Sequence, residues 1–302
     1  MGKASYMKLL ENNTFKKRVD KLKSMLNNCV LCPHQCSVDR IKGEAGFCKT
    51  LTHPVVSGAE AHYGEEKELV GRHGSGTIFF SHCNLKCVFC QNYEISHCGE
   101  GNEISVEQLA EVMLYLQKRK CHNINLVSPG HIIPQIVEAI YLAANEGLTL
   151  PIVYNTNGYD LTDTLMLLED IIDIYMPDLK FSDDTLAEKY LGVKQYYSIA
   201  TAAIKEMFHQ VGNLKTDGNN IAYRGLMIRH LVMPENIAST DKIMGFIANH
   251  ISKDTYINVM SQYYPAYRSH DYKELSQNIT RQDFQQALKS AKEAGLTNSR
   301  GF

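Results

Sequence analysis

Gly74-Ser75-Gly76-Thr77-Ile78-Phe79-Phe80, followed by Ser81-His82-Cys83-Asn84-Leu85-Lys86-Cys87-Val88-Phe89-Cys90-Gln91-Asn92, decides how this chain is read. The β-branched and aromatic run after the glycine turn predicts a buried strand. Cys83, Cys87 and Cys90 come directly after it, spaced C-x3-C-x2-C. Thiolates ligate iron–sulfur clusters, and a closed cubane takes four of them. Three on one short loop hold three corners and leave the fourth iron without a protein ligand, and an open metal position is where chemistry occurs. The spacing alone also admits zinc, with His82 or His97 as a fourth ligand.

Strand and helix alternate from there onward. Ser105 caps a helical run Val106–Gln117, with Glu107 and Gln108 in its first turn. Ile124–Val127 reads as a strand and Pro134–Ala144 as a helix that Pro134 opens. Further strands are expected over 151–155, 171–176, 226–232 and 256–260, with helices at 161–169, 185–190, 199–211, 241–250 and 282–294. Such alternation implies parallel pairing with right-handed crossovers. Six units are too few to close an eight-stranded barrel, so an open partial barrel is expected. The fold class is α/β: a partial (β/α)6 TIM-type barrel over 59–265, a small N-terminal cysteine-rich module over 1–58 and a C-terminal helical extension over 266–302.

The strand, the Cys83/Cys87/Cys90 spacing and the aromatic Phe89 before the last cysteine resemble the radical S-adenosylmethionine superfamily. The longer run Cys83-Asn84-Leu85-Lys86-Cys87-Val88-Phe89-Cys90-Gln91-Asn92 is similar to proteins related to the pyruvate formate-lyase activating enzyme. The resemblance implies the same (β/α)6 architecture, a [4Fe-4S] cluster on the three thiolates, and S-adenosylmethionine bound to the fourth iron through its amino and carboxylate groups. It implies reductive cleavage to a 5'-deoxyadenosyl radical, which abstracts hydrogen from a protein or small-molecule substrate; a glycyl-radical enzyme is the narrower possibility. A one-electron reductant such as flavodoxin or ferredoxin is the implied partner.

Parallel strands present their carboxyl ends to the active site, so the polar residues there are the candidates for cofactor binding. Asn155-Thr156-Asn157-Gly158 resembles the family's Thr-Asn-Gly, and Asp178-Leu179-Lys180 its Asp-x-Lys. An oppositely charged pair can hold a zwitterionic methionine end; a simple strand-end ion pair is the alternative. Arg229 lies within an apolar strand and needs a partner there, either a carboxylate of the ligand or an inner aspartate. The chain departs from the family at Ser128-Pro129-Gly130-His131, where a Gly-Gly-Glu-Pro run is usual. Ser128 and His131 stand as replacements, with a capping or surface role as the alternative for His131. Gln262 is a weaker candidate in place of the family's histidine after the sixth strand.

Nine cysteines in 302 residues include four near the N-terminus, Cys29, Cys32, Cys36 and Cys48. They are expected to form a compact knuckle holding either a second iron–sulfur cluster or zinc. The segment 53–60 reads as a connector to the barrel, and Glu60, His62, Glu65 and Glu66 as a charged turn exposed to water. An amphipathic helix that turns Leu9, Leu10, Phe15, Val19, Leu22 and Leu26 inward is expected at the start. Met1-Gly2-Lys3-Ala4-Ser5-Tyr6 misses the myristoylation pattern, and nothing there reads as a secretory signal.

The net charge is −2 without an extended basic patch, which argues against nucleic acid. No run of about 18 apolar residues suggests a membrane span. Thiol-rich composition without a disulfide framework points to a reducing, oxygen-poor cytoplasm. Two other readings remain: an electron carrier whose fourth thiolate is Cys98 or Cys121, and a zinc-stabilised scaffold that binds a partner.

Overall fold

The computed structural model describes residues 4–301; Met1, Gly2 and Lys3 of the N-terminal motif lie outside the described residues. The strands are β1 (Val55–His62), β2 (Ser75–Phe80), β3 (Asn102–Glu103), β4 (Ile124–Val127), β5 (Ile152–Thr156), β6 (Ile174–Pro177), β7 (Lys215–Thr216), β8 (Ala222–Leu231), β9 (Tyr256–Met260) and β10 (Ser299–Gly301). The helices are α1 (Met7–Glu11), α2 (Phe15–Ser24), α3 (Lys67–Val70), α4 (Val106–Lys118), α5 (Ile133–Asn145), α6 (Thr162–Met166), α7 (Asp184–Leu191), α8 (Tyr196–Val211), α9 (Thr240–His250) and α10 (Arg281–Glu293).

The strands form one sheet in the order β10-β9-β8-β6-β5-β4-β2-β1-β3, with β7 beside β8. From β2 through β4, β5, β6 and β8 to β9 every pairing is parallel. This is the expected open partial barrel. Helix α4 starts where Ser105 predicted: its hydroxyl accepts from the Gln108 amide, and the Gln108 side chain accepts from the Ser105 amide. The edge strands escaped the sequence reading. β10 pairs with β9 through only three residues, too few to carry a periodic signal.

Two local expectations are corrected. The segment 53–60 is no connector: β1 begins at Val55 and pairs antiparallel with β2, covering that edge of the sheet. The single N-terminal helix is broken into α1 and α2 at Asn12-Asn13-Thr14, where the Asn12 side chain accepts from the Thr14 amide and Asn13 adopts a positive φ of 56°. A side-chain bond of this kind competes with the helical ladder. Leu9, Phe15, Val19, Leu22 and Leu26 are buried as expected, while Leu10 is only partly so.

The charged turn is the larger correction. Glu60 and His62 lie on β1, but Glu66 is 4% exposed and accepts a 3.0 Å hydrogen bond from the Asn258 side-chain amide. Glu65 and Glu66 lead into α3, which plugs the amino-terminal end of the barrel. Leu69 on α3 is fully buried among Val153, Ile174, Met176, Met227 and Tyr256, and its carbonyl accepts from the Asn123 side chain. Four residues of helix have no stability of their own, so apolar burial of Leu69 holds the plug. Leu69→Ala is expected to cost about 2–5 kcal/mol in urea unfolding. Ile41→Ala, at a side chain 55% exposed, should change stability by no more than about 0.5 kcal/mol.

Candidate active site

The three-cysteine loop leaves β2 at its carboxyl end and is tied down at both flanks. The Ser81 amide donates to the Val55 carbonyl, and the amides of Lys86 and Val88 donate to the carbonyls of Leu191 and Tyr190 at the end of α7. Leu85, Val88 and Phe89 are buried; the Phe89 ring packs against Phe181 and Tyr263. Apolar residues between the cysteines thus anchor the loop while the sulfurs turn toward the barrel mouth.

Cys83, Cys87 and Cys90 line one cavity of about 260 Å³, and Phe89, Asn155, Asn157, Asp178, Lys180 and Arg229 line it with them. The side chains come from the ends of β5, β6 and β8, as parallel pairing requires. Asn157 donates to Asn84 Oδ1 at 2.7 Å and approaches Cys83 Sγ at 3.3 Å. Gly158 next to it has a φ of 83°, and a Cβ there would lie 2.5 Å from the Asp178 carbonyl oxygen, so only glycine lets these two strand ends approach. The Tyr196 hydroxyl closes the same junction, donating to the carbonyl of Asn157 or Asp178 and accepting from the Lys180 amide.

Asp178 accepts from Lys180 Nζ at 2.6 Å and from Arg229 Nε at 2.9 Å. Arg229 also donates to Asn155 Oδ1 at 2.7 Å, and its Nη1 stands 3.6 Å from Glu65. Burial disfavours the Asp178 charge, but the two cations outweigh it and hold its carboxyl below the usual range. Burial likewise opposes the charge on Lys180, and Asp178 more than restores it. Burial pushes the Cys83 and Cys87 thiols up, and the Lys180 cation opposes this at Cys87. Burial outweighs the cation, so both thiols stay above their ordinary range.

Ser128, His97 and Gln262 also line the cavity, whereas Cys98 and Cys121 do not. No three His, Cys, Asp or Glu side chains among the described residues are placed to share one metal ion. Thiolates that each hold a different corner of a cluster do not need to meet at one point. The donor set of three sulfurs with an open side fits a cluster better than a mononuclear ion.

His131 is neither a surface residue nor part of this cavity. It is 2% exposed, its Nε2 bonds to the Ser81 carbonyl at 3.0 Å, and it faces the N-terminal module. Glu65 was missed: its charge looked solvated in sequence, and only the plug brings it to Arg229.

A sequence profile of the Radical SAM superfamily matches residues 77–247. The chain belongs to the radical SAM superfamily. It is 30% identical over 301 residues to Uncharacterized protein MJ0674 of Methanocaldococcus jannaschii, covering 96% of this chain and 82% of that one. Among solved structures, SuiB of Streptococcus suis bound to S-adenosylmethionine superposes with a TM-score of 0.50 at 13% identity, over 73% of this chain and 48% of SuiB. Methylornithine synthase (PylB) gives 0.50 at 18% identity, over 74% of this chain and 63% of the synthase. The chain thus spans about half the length of SuiB, and these likenesses show the radical SAM fold.

Two buried histidines give this fold an acid response. Burial lowers His131 to about 3 and His230 to about 4, against about 6.5 for an unfolded histidine. The unfolded chain therefore binds protons that the folded chain refuses. Their contribution is intact above about pH 6.5 and is lost as pH falls toward the folded values. Asp160, raised by burial to about 6, acts oppositely but equally in wild type and variants. The stability difference between wild type and His131→Asn is expected to shrink between pH 7 and 4, read by urea unfolding at each pH.

Proposed function

We propose that Cys83, Cys87 and Cys90 hold a [4Fe-4S] cluster and that Phe89, Asn155, Asn157, Asp178, Lys180 and Arg229 bind S-adenosylmethionine beside it. The carrying observation is the convergence of three cysteines, without a fourth, and a buried charge network on one cavity. A cluster held by Cys83, Cys87 and Cys90 would, when bound and reduced, supply the one electron for cleaving the sulfonium of S-adenosylmethionine to methionine and a 5'-deoxyadenosyl radical that would take a hydrogen atom from a protein or small-molecule substrate.

The chain's own residues bind and orient. Lys180 and Arg229 offer two fixed cations to a carboxylate, and Asp178 holds both in place at the strand ends. The Asn157 amide approaches Cys83 Sγ and limits the freedom of the first thiolate. Phe89, buried against Phe181 and Tyr263, gives the cavity an apolar wall next to the last cysteine. Kinship with the pyruvate formate-lyase activating enzyme, and with it a glycyl-radical partner, rests on the loop sequence. Reductant supply by a flavodoxin or ferredoxin and a cytoplasmic, oxygen-poor setting belong to the same proposal, as does the division into module, barrel and C-terminal extension.

Protein purified and reconstituted without oxygen, then reduced with dithionite, is expected to release 5'-deoxyadenosine from S-adenosylmethionine; Cys87→Ala should release none. Release by that variant would remove the loop from the chemistry. A reducible cluster without release would favour an electron carrier. Asp178→Asn leaves the buried Lys180 without its anion and Arg229 with the more distant Glu65 alone, so both lose the group that positions them, and should weaken S-adenosylmethionine binding at least about tenfold, or about 1.4 kcal/mol, in equilibrium titration. Unchanged affinity would reduce Asp178 to a structural residue.

A further inference from the structure

The N-terminal module lies outside the 77–247 profile match, yet it reaches the loop that carries Cys83. His34 Nε2 bonds at 2.8 Å to the carbonyl of Asn84, the residue after Cys83. The His34 ring stacks on Phe47 with centres 3.7 Å apart and meets Tyr159 edge-on at 5.7 Å. Phe47 also walls the small cavity that Cys29, Cys32, Cys36 and Cys48 line. His34 and Phe47 are half-buried, so the stacked pair keeps part of its surface in water.

Lysines border this pair. Lys86 stands between the first two loop cysteines and places Nζ 5.5 Å from the centre of the Phe47 ring, within cation–π range. It does not line the active-site cavity. Lys49 is exposed beside Phe47 and Cys48 in sequence. Lys194 is 80% exposed, and its carbonyl accepts from the Tyr159 hydroxyl. Gly192, two residues earlier, lies against the loop: a Cβ there would come within 3.1 Å of the Lys86 Cβ.

No carboxylate neutralises this group. Among the described residues neither Lys49 nor Lys86 is paired with one, and Lys194 has only Glu188 at 3.9 Å across open solvent, a contact worth little. The nearby histidines report the same field. Burial first, and then Lys86, disfavours the charged form of His34 and His97, and Lys49 joins Lys86 in acting on His82.

A cluster that works by accepting an electron needs its donor brought close to the sulfurs. His34 is one hydrogen bond and a few covalent bonds from Cys83. A positive rim around an aromatic contact complements a carrier with negative charge around a flat, apolar-edged redox group, which describes a flavin in an acidic protein. Complementary charge steers such encounters and sets their register.

We infer that Lys49, Lys86 and Lys194, set around the stacked His34 and Phe47, dock an acidic flavodoxin-type electron carrier. The inference rests on the reading of Cys83, Cys87 and Cys90 as cluster ligands. One electron leaves the carrier's reduced flavin and is taken up at the cluster; the flavin is oxidised, the cluster is reduced, and no bond is made or broken. The N-terminal module is thereby half of the electron-entry surface.

The full chain, reconstituted without oxygen, is titrated with oxidised flavodoxin at low ionic strength by calorimetry. The wild type is expected to bind, and Lys49→Glu with Lys194→Glu, which leave the cysteine loop untouched, to bind at least about tenfold more weakly. Adding Lys86→Glu should deepen the loss, and added salt should weaken the wild type more than the variants. Equal affinities, or no binding by the wild type, overturn the inference.

Stopped-flow bleaching of the cluster by reduced flavodoxin should slow by a similar factor, while the extent of bleaching by excess dithionite, which needs no docking, stays the same. Slowing confined to an acidic ferredoxin overturns the choice of a flavin carrier. A wild type without a reducible cluster would defeat the radical reading and leave the titration standing. Equal affinities beside a cluster that dithionite reduces would defeat the docking surface alone.

Discussion

Asp178 is the hinge of the site. It sits one residue past β6, yet it anchors Lys180 on its own strand end and Arg229 on β8, and through Arg229 it is linked to Asn155 on β5 and Glu65 before α3. Charges this far from water are unfavourable unless paired with good geometry. Once Arg229 is placed in an inward position of an apolar strand, the anions around it are required, and they join three strands and the barrel plug. The cysteine loop shares a cavity with this network, so its sulfurs lie across from Lys180 and Arg229.

Two kinds of anchoring produce one cavity. The loop carrying Cys83, Cys87 and Cys90 is fixed by buried apolar side chains and by backbone bonds to α7. The strand ends are fixed by ion pairs and by the close approach that Gly158 allows. Neither set alone defines a binding site. Parallel pairing from β2 to β9 brings them together, because it sends every carboxyl end to the same side.

The N-terminal module is integrated with this arrangement. Arg40 and Gln135 both donate to the Leu51 carbonyl, and His131 links the module to Ser81 just before the cysteine loop. The turn after β4 thus serves as a joint between two cysteine-lined cavities. His131 takes this part instead of the cofactor contact considered for it, because its ring is buried on the far side of the turn.

Much of the fold and the site was legible in the order of residues. Strand–helix alternation is a local property, so the parallel core strands and their helices could be read by periodicity and by caps such as Ser105. The C-x3-C-x2-C spacing and the polar residues at strand ends are local as well, and Asn155, Asn157, Asp178, Lys180 and Arg229 do meet around one cavity. What depended on distant partners was not legible. Glu65 and Glu66 look like solvated charges until α3 enters the barrel base, and β1 looks like a connector until it finds β2. Burial of a charge and pairing of an edge strand are decided by residues far away in the chain, and only the tertiary structure brings those residues near.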